Sequence, residues 1–345
     1  MTMGQRTHVG YSHRSCVLLF ILTAIQVCHS WQFPWEQQKP AAKRVHAAVI
    51  VPGFLTGQGD FESLARTLTS KGIPTVVVPM PVWHWIPCIG GRSIRPILER
   101  IEYTVKHVSA AISSHSEIVV PPFKYTFLDC LLDFMDNPGG VYKVGGSDEV
   151  DEYPTDVSPR GTFPQPTTQP EAKIALIGHS AGGFISRCYL SERPFGGKTY
   201  NGTKLVHSLV TLGTPHQNVS GFAFKAVEWA NREPLPVRGL AVGATGSPGD
   251  VSGELTKNSY TFCTGLDGSQ FDGDGFTTTA SALAMEGAQV EKLVLDGVTH
   301  YPWSDAGVWG HLLAPDLAKE HKAGKPWYGD EEIVDQWYNF LLKHP

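Results

Sequence analysis

The chain has 345 residues, 18% of them charged and 41% hydrophobic, with 28 Lys and Arg against 33 Asp and Glu and a net charge of -5. That length suffices for one large domain with a buried core, and a mildly negative chain without a stripe of Lys and Arg is not expected to bind nucleic acid. The six cysteines show no C-x-x-C or Cys/His ligand spacing, so neither a metal nor a thioredoxin-like site is expected.

In chain order, Arg6, His8, His13 and Arg14 precede the apolar run Val17 to Val27, and Cys28-His29-Ser30 puts small residues before Trp31. This pattern predicts a signal peptide over residues 1–30, too short to span a bilayer, and hence the secretory pathway. Ser30-Trp31 also resembles the bipartite plastid address of algae with complex plastids, which makes plastid import the alternative. Residues 31–45 read as a linker or transit segment. Of the cysteines that follow, Cys88 and Cys130 are the pair to examine for a disulfide, whereas Cys188 and Cys263 read as buried thiols. Asn201-Gly202-Thr203 and Asn218-Val219-Ser220 match glycosylation acceptors.

Residues 46–345 read as one domain. His46 to Val51 is an apolar strand, Asp60 to Ser70 a helix, Thr75 to Val78 a second strand, Ile94 to Ala111 a long helix and Phe123 to Met135 another. Residues 137–172 are rich in Pro and Gly and carry Asp148-Glu149-Val150-Asp151-Glu152, a composition that predicts a disordered acidic insertion. Leu205 to Leu212 is a strand that ends in Gly213-Thr214-Pro215-His216, and residues 217–257 read as a short irregular cap with a helical piece around Phe222 to Asn231. Strands are expected at Tyr260 to Thr264 and Val290 to Leu295, and Glu331 to Leu342 is an amphipathic helix. Strands alternating with helices imply a mostly parallel central sheet flanked by helices.

The most informative segment lies between the insertion and the cap. Ile174-Ala175-Leu176-Ile177 is an apolar strand that runs into Gly178-His179-Ser180-Ala181-Gly182 and then into a helical pattern. A serine in a sharp strand-to-helix turn tolerates no large side chain two residues to either side, and the two glycines meet that condition. The turn would present Ser180 Oγ above the sheet edge as a nucleophile. Such a serine needs a base and an acid that orients it. His300 and Asp274 follow in that order of need, each placed by this reading in a loop at a strand's carboxyl end. Asp272, Asp296 and Asp305 are alternative acids and His311 an alternative base, while His179 and His216 read as supporting histidines. An oxyanion hole would use the N–H of Ala181 and one from the loop Pro52-Gly53-Phe54-Leu55, where Phe54 is the candidate. Leu55, Trp83, Trp85, His216 and Phe222 are candidate walls of an apolar substrate pocket.

On Gly178-His179-Ser180-Ala181-Gly182-Gly183, Leu212-Gly213-Thr214-Pro215-His216, Gly273-Asp274-Gly275 and Trp327-Tyr328-Gly329, residues 44–345 resemble the α/β-hydrolase superfamily. They look most like lipase and esterase-like proteins of plants and algae related to GPI inositol deacylases. The resemblance implies an α/β-hydrolase fold and hydrolysis of a carboxylic ester, of a lipid or other apolar acyl compound, without a cofactor. The expected partner is a small-molecule or lipid ester, with peripheral membrane contact and oligomeric state left open. A non-catalytic binding protein, or a thioesterase or acyltransferase on the same fold, are the alternatives. Pro52 stands where many members carry a histidine before the oxyanion loop glycine.

Overall fold

The computed structural model describes residues 47–136, 159–219, 225–302 and 324–343. The expected signal peptide and transit segment, the insertion as far as residue 158, and Phe222, Asp305 and His311 lie outside the described residues.

Ala48–Val51 form β1, an apolar run whose every side chain is buried, as in a strand covered on both faces. Thr75–Val77 (β2), Ile174–His179 (β3), Val206–Leu212 (β4), Arg238–Thr245 (β5) and Val290–Asp296 (β6) complete a six-stranded sheet in the order β2-β1-β3-β4-β5-β6. Every neighbouring pair is parallel. The helices are α1 (Glu62–Ser70), α2 (Arg95–Ser113), α3 (Phe127–Asp136), α4 (Ala181–Leu190), α5 (Lys225–Ala230), α6 (Glu254–Thr264), α7 (Thr279–Ala282), α8 (Glu331–Trp337) and α9 (Asn339–Leu342).

Strand side chains alternate between the two faces, so each face has its own core. Val49, Val51 and Leu176 pack with Ile97 and Ile101 of α2 and Ile185 and Tyr189 of α4. Ala48, Ile50 and Ile177 pack on the other face with Leu64 and Leu68 of α1 and Val334 and Trp337 of α8. The chain therefore leaves β1 toward one face and β3 toward the other. Their loops part at the carboxyl edge and open a crevice there, as parallel sheets do wherever strand order reverses.

Four expectations differ from the structure. The irregular cap at 217–257 contains β5, a core strand paired on both sides. The strand expected at Tyr260 to Thr264 is the end of α6, because Thr256, Tyr260 and Cys263 recur at helical spacing on its buried side. Gly265 ends that helix in the left-handed conformation (φ 71°). Cys88 and Cys130 are not joined in a disulfide and are buried like Cys188 and Cys263. The helix expected from Phe123 begins at Phe127, since Thr126 and Asp129 bond reciprocally (Thr126 N to Asp129 Oδ2, 2.8 Å; Asp129 N to Thr126 Oγ1, 3.2 Å) and so cap it. Beyond the undescribed part of the insertion, Arg160 pairs with Asp133 at 2.9 Å and Thr162 bridges Lys124. Among the described residues no helix is long and apolar enough to cross a membrane.

Candidate active site

Ser180 sits between β3 and α4 at φ 50°, ψ -126°, a strained conformation for a residue with a Cβ. Its N–H donates to Leu212 O at 2.9 Å, which ties the turn to β4. Close approach explains the flanking glycines. A Cβ on Gly182 would lie 2.3 Å from Val51 O, and one on Gly183 would lie 2.0 Å from Thr214 Oγ1. Ala181 is the first residue of α4, so its N–H has no acceptor within the helix.

The loop after β1 lies directly against this turn, since a Cβ on Gly53 would be 2.9 Å from Ser180 Cβ and 2.6 Å from His179 Nδ1. Thr56 fastens the loop by donating from Oγ1 and N to Gly53 O (2.6 and 3.1 Å), and Trp85 Nε1 donates to Thr56 O at 2.9 Å. Phe54 is thereby held beside the serine, its ring edge-on to Trp85. Leu55 takes φ 58° at the turn.

Asp274 and His300 meet in full burial. His300 Nδ1 donates to Asp274 Oδ2 at 2.7 Å, and Tyr328 OH donates to the same oxygen at 2.9 Å. Oδ1 accepts the backbone N–H groups of Phe276 (2.9 Å) and Thr277 (2.7 Å). Burial alone would raise the Asp274 carboxyl, but His300 and these donors outweigh it and hold the group below the usual carboxylate range. With Nδ1 committed to a carboxylate, Nε2 is the nitrogen of His300 left for proton transfer. Gly213 explains part of the Gly-Thr-Pro segment, because it takes φ 57° and a Cβ there would lie 2.5 Å from Asp274 Oδ2. His179 donates from Nε2 to His300 O at 2.7 Å, and burial followed by the nearby charge of His300 push its own pKa down to about 3. It is therefore a neutral strut for the His300 backbone.

The competing acids have other work. Asp272 accepts from the N–H groups of Gly246, Ser247 and Gly273 and so anchors the loop after β5. Asp296 accepts from Thr245 Oγ1 at the far end of β6.

Ser180 and His300 both line a cavity of about 610 Å³ walled by Phe54, Trp85, Phe184, Phe262, Phe276 and other mainly apolar side chains. Of the wall residues expected from sequence, Trp85 is there and Leu55 and His216 are not; the oxyanion candidates Phe54 and Ala181 also line it. His216 is buried behind the wall, where Arg187 Nη1 donates to its Nδ1 (3.2 Å) and Thr211 Oγ1 lies 3.1 Å from its Nε2. Burial and then Arg187 drive its pKa well below the ordinary histidine value. Its neighbour Pro215 lines the cavity instead. Trp83 faces a separate surface cavity with Pro81, Phe123 and Tyr125. It lies in the 3₁₀ helix Val82–Cys88, whose three residues per turn send Trp83 and Trp85 in different directions. Two residues without an expected role complete the centre. Tyr328 bonds the acid, and Phe276 stacks on the His300 ring with centroids 5.3 Å apart. Their adjacency to Trp327 and Asp274 in motif segments was the available signal. Among the described residues there is no group of three or more His, Cys, Asp or Glu that could hold a metal ion.

The PGAP1-like alpha/beta domain family matches residues 153–224, a stretch that spans β3, the serine turn, α4 and β4. No curated protein sequence matches the chain. Among solved structures it is similar to lipase B of Aspergillus fumigatus (12% identity, 74% of this chain and 46% of that one, TM-score 0.37). It is also similar to a dienelactone hydrolase from Anabaena variabilis (10%, 82% and 85%, TM-score 0.32) and to Est1E from Butyrivibrio proteoclasticus (9%, 82% and 91%, TM-score 0.31). The chain thus spans about half the length of the lipase it matches. A parallel sheet in this order, with a strained serine turn after β3 and helices on both faces, is the α/β-hydrolase fold.

Proposed function

We propose that this α/β-hydrolase-fold protein is a serine hydrolase that cleaves a carboxylic ester of a lipid or other apolar acyl compound. The observation that carries the reading is the buried Asp274–His300 pair at 2.7 Å, with His300 lining the same apolar cavity as the strained Ser180. A histidine oriented through Nδ1 by an ionised carboxylate is what a serine nucleophile requires, and a binding protein requires none of these groups.

On this reading Ser180 Oγ attacks the ester carbonyl and passes its proton to His300 Nε2. Asp274 stabilises the imidazolium that forms and stays ionised itself. The carbonyl oxygen becomes an anion held by the N–H groups of Ala181 and Phe54, and loss of one such donor costs a factor of roughly 100–1,000 in rate. Collapse of the intermediate expels the alcohol, which takes the proton from His300, and water then hydrolyses the acyl-serine by the same route. The apolar walls suit an acyl or alkyl chain, whose burial contributes about 0.8 kcal/mol per methylene.

A fluorophosphonate probe tests this directly. It is expected to label Ser180 in the wild-type chain, and Ser180→Ala is expected to lower kcat on acyl esters by a factor on the order of 10⁶. Labelling at another residue, or full activity of S180A, would remove the assignment.

A further inference from the structure

The cavity that holds Ser180 and His300 has one feature that a neutral ester does not explain. Among its described lining residues Arg92 is the one permanently charged side chain. Its Nη1 donates to Ile89 O at 2.8 Å, and its guanidinium carbon lies 3.8 Å above the Phe134 ring. Nε is buried and has no hydrogen-bond partner among the described residues. No ion pair is formed by Arg92 among the described residues, whereas Arg95, three positions on, lies 3.5 Å from Glu99. The approach is built for this placement. Gly90 and Gly91 take φ 76° and 72°, and a Cβ on Gly90 would lie 3.0 Å from Arg92 Nη1, so the side chain folds back over the turn.

An arginine remains charged in any protein environment, and a guanidinium in an apolar wall without a counter-ion is unfavourable unless something else supplies the charge. Stacking on Phe134 and the bond to Ile89 O fix the plane of the half-buried guanidinium at the cavity wall, with no carboxylate beside it among the described residues. A guanidinium held in this way can pair with the oxygens of a carboxylate or phosphate. We infer that Arg92 is a specificity-determining residue that receives an anionic oxygen group, phosphate or carboxylate, carried by the ester substrate. The inference rests on the cavity being the substrate site of the proposed hydrolase. It turns a general apolar acyl ester into an amphiphile with a negative charge on either its alcohol or its acyl side.

Binding separates this inference from the catalytic reading. In the Ser180→Ala chain, Trp fluorescence is used to titrate dodecyl phosphate, dodecanoate and dodecanol. One or both anions are expected to bind about tenfold or more tightly than the alcohol, as for a charge-assisted pair in a desolvated site. Which anion wins identifies the group. Adding Arg92→Met should erase the preference, and Arg92→Lys, which keeps the charge and loses the fork, should retain part of it. Catalysis then locates the charge. The wild-type ratio of kcat/KM for an anionic over a neutral nitrophenyl ester, with the carboxylate placed on the phenol or at the acyl terminus, is expected to exceed about ten for one placement and to fall in R92M. Equal binding of anions and alcohol by S180A overturns the inference without needing a variant of Arg92, and so does a preference that survives R92M. Absence of ester hydrolysis in the wild-type chain would instead sink the hydrolase reading, leaving the binding preference to be judged separately.

Discussion

The loop that carries Ser180 and the loop that carries Asp274 both project from the carboxyl edge of one sheet, and they are held by opposite means. The first is positioned by what is missing, because Gly182 and Gly183 let α4 approach the backbone of Val51 and the side chain of Thr214 to distances that no Cβ would permit. The second is positioned by bonds. Asp274 accepts four donors, Asp272 accepts backbone N–H groups from Gly246, Ser247 and Gly273, and Tyr260 OH joins Ser247 O to Gly275 N. Ser180's place thus depends on the absence of side chains around it. Asp274's place depends on the hydrogen bonds its carboxylate accepts.

The sharpest way to break the second loop is Asp274→Asn. An amide in that position no longer holds the correct His300 tautomer, and kcat on an acyl ester should fall by about 10⁴. Asp272→Asn, two residues away, should leave kcat within about tenfold while lowering stability by roughly 1–3 kcal/mol, because it weakens an acceptor for three N–H groups. Equal rate losses in the two variants would mean that the wrong carboxylate has been assigned. For the first loop, Gly182→Ala sets a methyl group 2.3 Å from a backbone oxygen and should cost roughly 1–3 kcal/mol or more in urea denaturation. Gly59→Ala is the control, since a Cβ there meets nothing within 4 Å. The two midpoints coinciding would contradict the steric account.

A more gradual effect, spread over pH, separates the two means of support. His84 and His179 are pushed down from 6.5 to about 2 and about 3 in the folded chain, chiefly by burial. Their folded values lie below the unfolded ones, so the unfolded chain binds more protons between those limits, and stability declines as pH falls below about 6.5. Asp274, also lowered, adds a loss of the same sign at more acidic pH as its carboxylate is protonated. Thermal melts should show Tm falling steadily from pH 7 to pH 4, with stability declining by less than about 1 kcal/mol per histidine over the first unit. A flat Tm over that range would argue against neutral, buried histidines at these positions.

The same contrast explains what was legible in the sequence. Steric needs of the Ser180 turn are met by residues two or three positions away, so the motif can be read locally, and β1, β3 and β4 are apolar runs that announce themselves. The acid's surroundings are not local. β5, Arg238-Gly239-Leu240-Ala241-Val242-Gly243-Ala244-Thr245, passed for an irregular cap because of its glycines. Their smallness answers to Leu235 (2.5 Å from a Cβ on Gly239) and Ala282 (3.0 Å from one on Gly243), contacts a linear reading does not display. Tyr260-Thr261-Phe262-Cys263-Thr264 has the aromatic and β-branched content of a strand, but packing of Thr256, Tyr260 and Cys263 on one side overrides that preference. Asp274 was singled out through its loop motif and its order in the chain rather than through the strand thought to precede it. Tyr328 was visible as part of the Trp327-Tyr328-Gly329 match, but nothing local to it marks the carboxylate it bonds.

That tyrosine has a consequence in time. The turn around Ser180 is synthesised well before His300 and Tyr328, and at ordinary translation speeds the interval is roughly ten to thirty seconds. Throughout it the serine can sit in its strained turn with neither a base nor the donor that completes the acid's hydrogen bonds. If the protein is the serine hydrolase proposed above, a nascent chain would then be chemically quiet toward esters and armed only when the segment bearing Tyr328 docks against Asp274.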